Sequence, residues 1–300
     1  MAVIGVDIGG TNFRIGAVNA EGKTIRFEKV PVMTVFHTDN PLRDLANRIK
    51  AVADGLSIEA AAIGFPATMN ADRTKVLQAP NIPFMEDLPV VEYLEKELGF
   101  PVFAEKDVTY ALYYDMDKYS IPSSGIVCGI YFGTGIGSAV AVNGTILTGE
   151  HGCAGELGHV PLAGCDAVCG CGNKGCLEAV AGGKALAALQ KEKYPETPIG
   201  EMFALHADEE PLQGFVDTMA IAVVTEVNLF DPSRMLLGGG VLNMKGFPME
   251  YFGERIAARV RKPLPLNDLR ILYTEDESDK CVRGAAVYAR RRLKRKREWQ

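Results

Sequence analysis

One pattern occurs twice in this chain and limits what it can fold into. A strand, a glycine turn carrying threonine and a returning strand make VDIGGTNFRIGAV at residues 6–18. The same plan recurs as YFGTGIGSAVAV at residues 131–142. A repeat of a whole supersecondary unit predicts two similar halves, here two α/β domains facing each other across a cleft. At 300 residues the chain has room for two domains of ordinary size.

The first half reads as three strands in a meander, then helix, strand, helix, strand, helix. Pro41 to Leu56 carries Leu42, Leu45, Ile49 and Val52 at helical spacing, with Asn40 placed to cap it. AAAIGFPA is a short buried strand, VVEYLEKELGF a helix closed by Gly99, PVFAEKD a strand, and Asp107–Tyr119 a helix. The second half opens at Gly125 with strand, glycine turn, strand, an Asn143-Gly144 hairpin turn and a third strand. Gly and Cys dominate 152–175, which cannot be regular. Helices follow near 177–192 and 211–230, then the strand RMLLGGG, a helix near Pro248–Val260, the strand DLRILYTE and a last helix. Pro and Ser cluster in KYSIPSS at 118–124, which marks the boundary. The division expected is a small domain over 1–118 and a large one over 119–283 carrying the Cys-rich loop. The last helix, 284–300, is expected to pack back on the small domain.

Composition narrows the function classes. Hydrophobic residues are 47% and charged residues 23%, ordinary globular values. No apolar run reaches the ~18–20 residues of a spanning helix, so no membrane is expected as partner. The opening MAVIGVDIGG lacks a basic region and a long apolar segment, so a cytoplasmic location is expected. Net charge is -6, but the last fifteen residues hold seven Lys or Arg against one Glu, leaving the rest at -12. An acidic body repels the phosphates of nucleic acid, so no nucleic-acid partner is expected. The tail ARRRLKRKRE reads as the solvated end of a terminal helix.

The first glycine turn spans Asp7, Ile8, Gly9, Gly10, Thr11 and Asn12. Glycines let backbone N–H groups point at an anion, and Thr11 and Asn12 add side-chain donors. Asp7, at the strand end, is placed to hold magnesium through water. The second turn, with Gly133, Thr134, Gly135, Gly137 and Ser138, has the character of a phosphate cradle. Two such loops at equivalent places can clamp a polyphosphate from both sides. Neither fits the G-x-x-x-x-G-K-[ST] pattern, and neither leads straight into a helix as a dinucleotide fingerprint does.

Five of seven cysteines fall between Cys153 and Cys176. Within ELGHVPLAGCDAVCGCGNKGCLE, His159, Cys169, Cys171 and Cys176 form a Cys3His set, the closed ligand count of a structural zinc. Cys153 and Cys165 lie outside that spacing. Glu156 and Glu178 flank the cluster and either suit the paired hydroxyls of a polyol or are solvated. Asp107 opens a helix; it is either a capping residue or a carboxylate kept ionised by the helix dipole and able to take a hydroxyl proton.

The constellation resembles the ROK family of sugar kinases, within the wider actin-like (ribonuclease H-like) ATPase fold. DIGGTN, GFPA, APNIP, EKDVT, GTGIGSA, AGELGH, CGCGNKGCLE, NLFDP, LLGGGV and RGAA fall in the family's order over essentially the whole chain. The resemblance implies ATP-dependent phosphorylation of a hexose 6-hydroxyl, with magnesium and a structural zinc, in a homodimer. It makes Asp107 the base, and Glu156, His159 and Glu178 sugar contacts, with His159 also a zinc ligand. It places Gly9, Gly10, Thr11, Gly133, Thr134 and Gly135 on the phosphates. Gly238, Gly239 and Gly240 fall near adenosine, and Asn81 near the sugar.

The departures point further. The family usually has Glu-Asn-Asp-Ala-Asn around the base, where this chain has Glu105-Lys106-Asp107-Val108-Thr109. With GFPA, PNIP, GELGHVPL and RKPLP, it looks most like the D-allose kinase branch. Lys106 either meets a differently placed sugar oxygen, turns away to leave room for an axial group, or is an exposed residue beside the helix start. Glucokinase, fructokinase and N-acetylhexosamine kinase are the alternatives within the family. A sugar-sensing regulator is the other class. The family's repressors carry an N-terminal DNA-binding domain, and here the first strand begins at about residue 2.

Overall fold

The computed structural model describes residues 1–298, with side chains to residue 295. The chain divides into two compact units. Unit 1 comprises Met1–Ile121, Thr148–Ala154 and the chain from Glu277; unit 2 comprises Pro122–Leu147 and Gly155–Asp276. The segments 148–154 and 277–283, expected in the large domain, thus lie with the first unit, and the chain from 284 lies there as the sequence predicts.

Unit 1 contains β1 (Ala2–Ile8), β2 (Asn12–Val18), β3 (Thr24–Pro31), α1 (Pro41–Ala53) and β4 (Ile58–Phe65). A small hairpin follows, β5 (Thr68–Met69) and β6 (Val76–Gln78), then α2 (Val90–Leu98), β7 (Val102–Lys106) and α3 (Asp107–Lys118). Its main sheet has the order β3-β2-β1-β4-β7. β1 pairs antiparallel with β2 and parallel with β4, which pairs parallel with β7. The Asn40 side chain accepts the Arg43 N–H at 3.0 Å and starts α1. Gly99, at φ 74°, ends α2 in the left-handed conformation that glycine adopts without penalty.

Unit 2 repeats the plan. β8 (Ile126–Phe132), β9 (Ile136–Val142) and β10 (Thr145–Ile146) are followed by helices α4 (Glu178–Ala181), α5 (Gly183–Lys193), α6 (Met202–His206) and α7 (Glu210–Phe230). β11 (Arg234–Gly238), α8 (Met249–Arg259) and β12 (Ile271–Tyr273) complete it. The sheet order is β10-β9-β8-β11-β12, the counterpart of the first. Asn143 and Gly144, at φ 49° and 73°, form the tight turn between β9 and β10. Among the described residues no helix is long and apolar enough to cross a membrane.

Alternation sorts the sheet faces. In β1, Ile4, Val6 and Ile8 are fully buried in a core shared with Leu45, Ile49 and Leu94 of α1 and α2. The opposite face is covered by the last helix, α9 (Lys280–Glu298), which lies against α3, β1 and β4. A Cβ on Gly5 would fall 2.2 Å from the Val282 carbonyl oxygen, and one on Gly284 1.9 Å from that of Tyr110. The RGAA run is therefore the small-residue surface that lets α9 sit on β1 and α3. Lys280 and Asp115, 6% and 1% exposed, form an ion pair at 2.7 Å across the α9–α3 contact.

Part of the basic tail is anchored, while Arg292, Lys294 and Arg295 are exposed as expected of a solvated helix end. Arg290 pairs with Glu59 at 3.0 Å and donates to the carbonyls of Val18 and Asn19. Arg291 lies over the Tyr113 ring and Arg292 over Phe103 and Tyr288. These arginines are anchors for α9, with guanidinium groups on aromatic faces. The side chains from 296 and the residues 299–300 lie outside the described part of the structure.

Gly284→Ala should crowd the α9–α3 contact. Urea unfolding is expected to show a loss of at least ~1–3 kcal/mol, the usual cost of overpacking. Unchanged stability would show that the two helices do not touch at this point.

Candidate functional site

In each sheet the parallel strands end on the same side, and the candidate residues gather at those carboxyl ends. This is where open α/β sheets bind ligands, because the loops there are free to diverge.

In unit 1, β1 ends in Gly9-Gly10-Thr11 and β2 begins at Asn12. The Gly9 N–H donates to the Asn12 carbonyl at 2.8 Å and closes the turn. A Cβ on Gly10 would stand 3.0 Å from that of Asn81, so the first glycine turn and the APNIP loop are neighbours. Asp7 and Arg14 face each other across the β1–β2 register and form an ion pair at 2.8 Å. β7 ends at Lys106, and Asp107 is the first residue of α3, its Oδ1 accepting the Val108 N–H at 2.8 Å. The Cys281 thiol is pushed up first by burial, then by the carboxylates of Asp7 and Asp107. Both carboxylates thus act electrostatically on the thiol of one residue of α9, an influence that the sequence did not reveal.

Lys106 is not the exposed side chain considered above. It is 9% exposed, and its Nζ donates to the Ala154 carbonyl at 2.9 Å. Its own N–H donates to Glu105 Oε1 at 2.9 Å, and the same oxygen lies 2.9 Å from Arg73 Nε.

In unit 2, the loop Gly133–Gly135 lies between β8 and β9. The N–H groups of Gly183 and Lys184, at the start of α5, donate to the carbonyls of Gly133 and Thr134 at 2.9 Å each. Gly137 lies within β9 opposite Tyr131, not in the glycine turn expected from the sequence. Glu178 Oε2 accepts the Ile136 N–H at 3.0 Å. A Cβ on Gly135 would fall 1.8 Å from that oxygen, which explains glycine there. At the end of β11, a Cβ on Gly238 would strike Thr274, and Gly239 at φ 100° packs on the Phe132 backbone. Gly240 faces open space. Packing within the protein therefore accounts for two of the three glycines by itself.

The Cys-rich loop is a knot of short turns. Cys169 N–H donates to the Asn173 carbonyl at 2.8 Å, and Gly172 N–H to that of Cys169 at 3.0 Å. The ligand atoms of His159, Cys169, Cys171 and Cys176 all lie within 4.8 Å of one another. His159 Nδ1 is 3.6 Å from Cys169 Sγ, and the Sγ atoms of Cys171 and Cys176 are 3.7 Å apart. A tetrahedron with Zn–S bonds of ~2.3 Å has S···S edges of ~3.7 Å, so the Cys171–Cys176 edge matches that of a zinc site and the donor set suits the ion. Burial raises the Cys169 thiol and pushes Cys176 up to about 12, whereas the Asn173 N–H lowers Cys171. A cation is what would let all three ionise together. His159 Nε2 stands 3.7 Å from Glu156 Oε2, so the same imidazole links the knot to that carboxylate. Cys153 and Cys165 are outside the set.

Residues 3–292 match the ROK family. Among curated proteins the chain is 31% identical over 266 residues to a glucokinase of Streptomyces coelicolor, covering 79% of this chain and 81% of that one. It is 30% identical over 262 residues to an N-acetyl-D-glucosamine kinase of Haemophilus influenzae, covering 80% and 84%. Among solved structures, the ROK hexokinase of Thermus thermophilus superposes with a TM-score of 0.81 at 27% identity, covering 98% of this chain and 99% of that one. A glucokinase of Streptomyces griseus, in complex with glucose and AMPPNP, gives 0.82 at 24% identity, covering 97% and 100%.

Gly135→Ala should push the Glu178 carboxylate off the Ile136 N–H. A crystal structure of the variant is expected to show Glu178 turned, with stability lowered by ~1.5–3 kcal/mol, the range for a hydrogen bond to a charged group. A carboxylate left in place would contradict this reading of the loop.

Proposed function

This chain belongs to the ROK family of sugar kinases, and from that premise we propose that it transfers the γ-phosphoryl group of ATP to the 6-hydroxyl of a hexose, D-allose in particular. The observation that carries the reaction is the place of Asp107. It follows a buried parallel strand directly and opens α3, so the helix dipole favours its charged form. Such a carboxylate accepts the hydroxyl proton as the oxygen attacks phosphorus. Because the phosphoryl group passes through a loose transition state, most of the rate comes from positioning and charge neutralisation.

The glycine turns at Gly9–Thr11 and Gly133–Gly135 hold the phosphates in this reading. Gly238, Gly239 and Gly240 stand beside the adenosine. Asp7 is the carboxylate for magnesium, held through water, and when bound that ion supplies neutralising charge at the phosphates. Asn81, Glu156, His159 and Glu178 bind hexose hydroxyls, since carboxylates and amides accept from paired hydroxyls. His159, Cys169, Cys171 and Cys176 hold one structural zinc with no open position, which fixes the loop carrying Glu156 and Glu178.

Support for allose is the basic residue before Asp107 together with GFPA, PNIP, GELGHVPL and RKPLP. Glucose and N-acetylglucosamine are the acceptors favoured by the names of the curated relatives. An ADP-release assay over allose, glucose, mannose, fructose, N-acetylglucosamine and N-acetylmannosamine separates these readings. The highest kcat/KM is expected for allose; a higher value for another hexose would reassign the substrate.

Asp107→Asn should lower kcat by ~10²–10⁴-fold while hexose affinity by calorimetry changes little. Near-normal turnover would remove Asp107 from the role of base. Cys171→Ser should yield protein without zinc by elemental analysis and with a raised hexose KM. Active parent protein that contains no zinc would contradict the metal assignment.

A further inference from the structure

Lys106 is the wrong residue for its local position. It is the N-cap of α3, at φ -64° and ψ 140°, and its side chain makes no capping hydrogen bond. An N-cap favours a short acceptor side chain such as Asn or Asp, and the positive end of a helix dipole disfavours an ammonium. The group is also almost fully buried. A sequence that breaks local rules beside a reacting group is held there by something else.

What holds it is the segment Thr148–Ala154. Lys106 Nζ donates to the Ala154 carbonyl at 2.9 Å, a charge-assisted bond in a partly buried setting. A second cation touches the same segment. Arg73, at φ 58° in the β5–β6 turn, is 8% exposed, and its Nε lies 2.9 Å from Glu105. A Cβ on Gly152 would fall 2.6 Å from Arg73 Nη1, so that guanidinium packs on the bare backbone at Gly152. Gly152 is itself at φ 73°. Glu105 ties the Lys106 backbone to the Arg73 guanidinium, accepting the Lys106 main-chain N–H and pairing with Arg73. Lys106 therefore holds this short segment by a hydrogen bond while Arg73 Nη1 packs against it without one, and two residues beyond Ala154 the chain reaches Glu156.

We propose that Lys106 and Arg73 are positioning residues for hexose selection: they fix the Thr148–Ala154 segment, and through it the approach to Glu156, so that the site accepts an axial 3-hydroxyl. The inference rests on the kinase reading above. It differs from direct recognition, because Lys106 acts through the Ala154 carbonyl. Asparagine at 106 is too short to reach that carbonyl, yet its amide both donates and accepts and can span neighbouring equatorial hydroxyls.

Three variants at one position separate the possibilities: Lys106→Met, Lys106→Arg and Lys106→Asn. Hydrogen exchange is followed at the amides of 148–154, where Ala154 N–H is bonded to the Thr148 carbonyl at 3.0 Å. Lys106→Met should accelerate exchange there and raise the hexose KM, with the ATP KM unchanged. Lys106→Arg keeps a cationic donor and should retain the parental exchange and sugar ratio. Lys106→Asn should shift the allose-to-glucose ratio of kcat/KM by ~10-fold or more toward glucose. Its melting temperature should not fall, since asparagine caps the helix better than lysine; a purely structural tie would lower it. Gly152→Ala should loosen the same amides from the Arg73 side. Unchanged exchange in Lys106→Met, or an unchanged sugar ratio in Lys106→Asn, overturns the proposal. If the parent phosphorylates no hexose, the kinase reading fails, while the exchange measurement still decides whether the segment is gripped.

Discussion

Each unit is arranged around its central strand, the place in the sheet where antiparallel pairing gives way to parallel pairing. β1 in unit 1 and β8 in unit 2 are each paired antiparallel on one side and parallel on the other. Close packing around these sheets selects residues without side chains at several points. Gly5, inside β1, lies beneath the Val282 backbone of α9, Gly135 beside the Glu178 carboxylate, and Gly239, just after β11, against the Phe132 backbone. The glycine motifs that suggest phosphate binding are therefore also demanded by packing. At Gly133 and Gly240, where an added Cβ would meet open space, packing makes no such demand.

The charged groups around Asp107 follow a different logic. Asp7 is paired with Arg14, Glu105 with Arg73, and Asp115 with Lys280, all within unit 1. Pairs this buried add little net stability, because desolvation offsets much of their attraction. Removing one partner is costly, so the arrangement tolerates few alternatives. Asp107 thus stands among groups whose positions are fixed by their partners, which is what the role of base proposed for it requires.

Local signals made much of this architecture legible in advance. The Asn40 cap, the Gly99 stop and the Asn143-Gly144 turn depend on a few adjacent residues, and each took the form its chemistry dictates. The Cys3His set was legible for the same reason, since its ligands span only residues 159–176. What stayed hidden depends on residues distant in sequence. The Asp7–Arg14 pair needs the β1–β2 register, and the influence of Asp7 and Asp107 on Cys281 needs α9 on the sheet. Arg290 and Arg291 looked solvated because nothing near them in sequence shows Glu59 or Tyr113 beneath them. Likewise Thr148–Ala154 carries no composition signal that assigns it to unit 1; Lys106 and Arg73 do that from afar.

Phosphoryl transfer to a primary hexose hydroxyl is the central proposal for this chain. Phosphorus–proton correlation NMR of the product formed from ATP, magnesium and D-allose reads the site of transfer directly. The account predicts one new phosphomonoester coupled to the two protons on carbon 6. A phosphate coupled to any other carbon's proton, or no phosphorylated hexose at all, would contradict it.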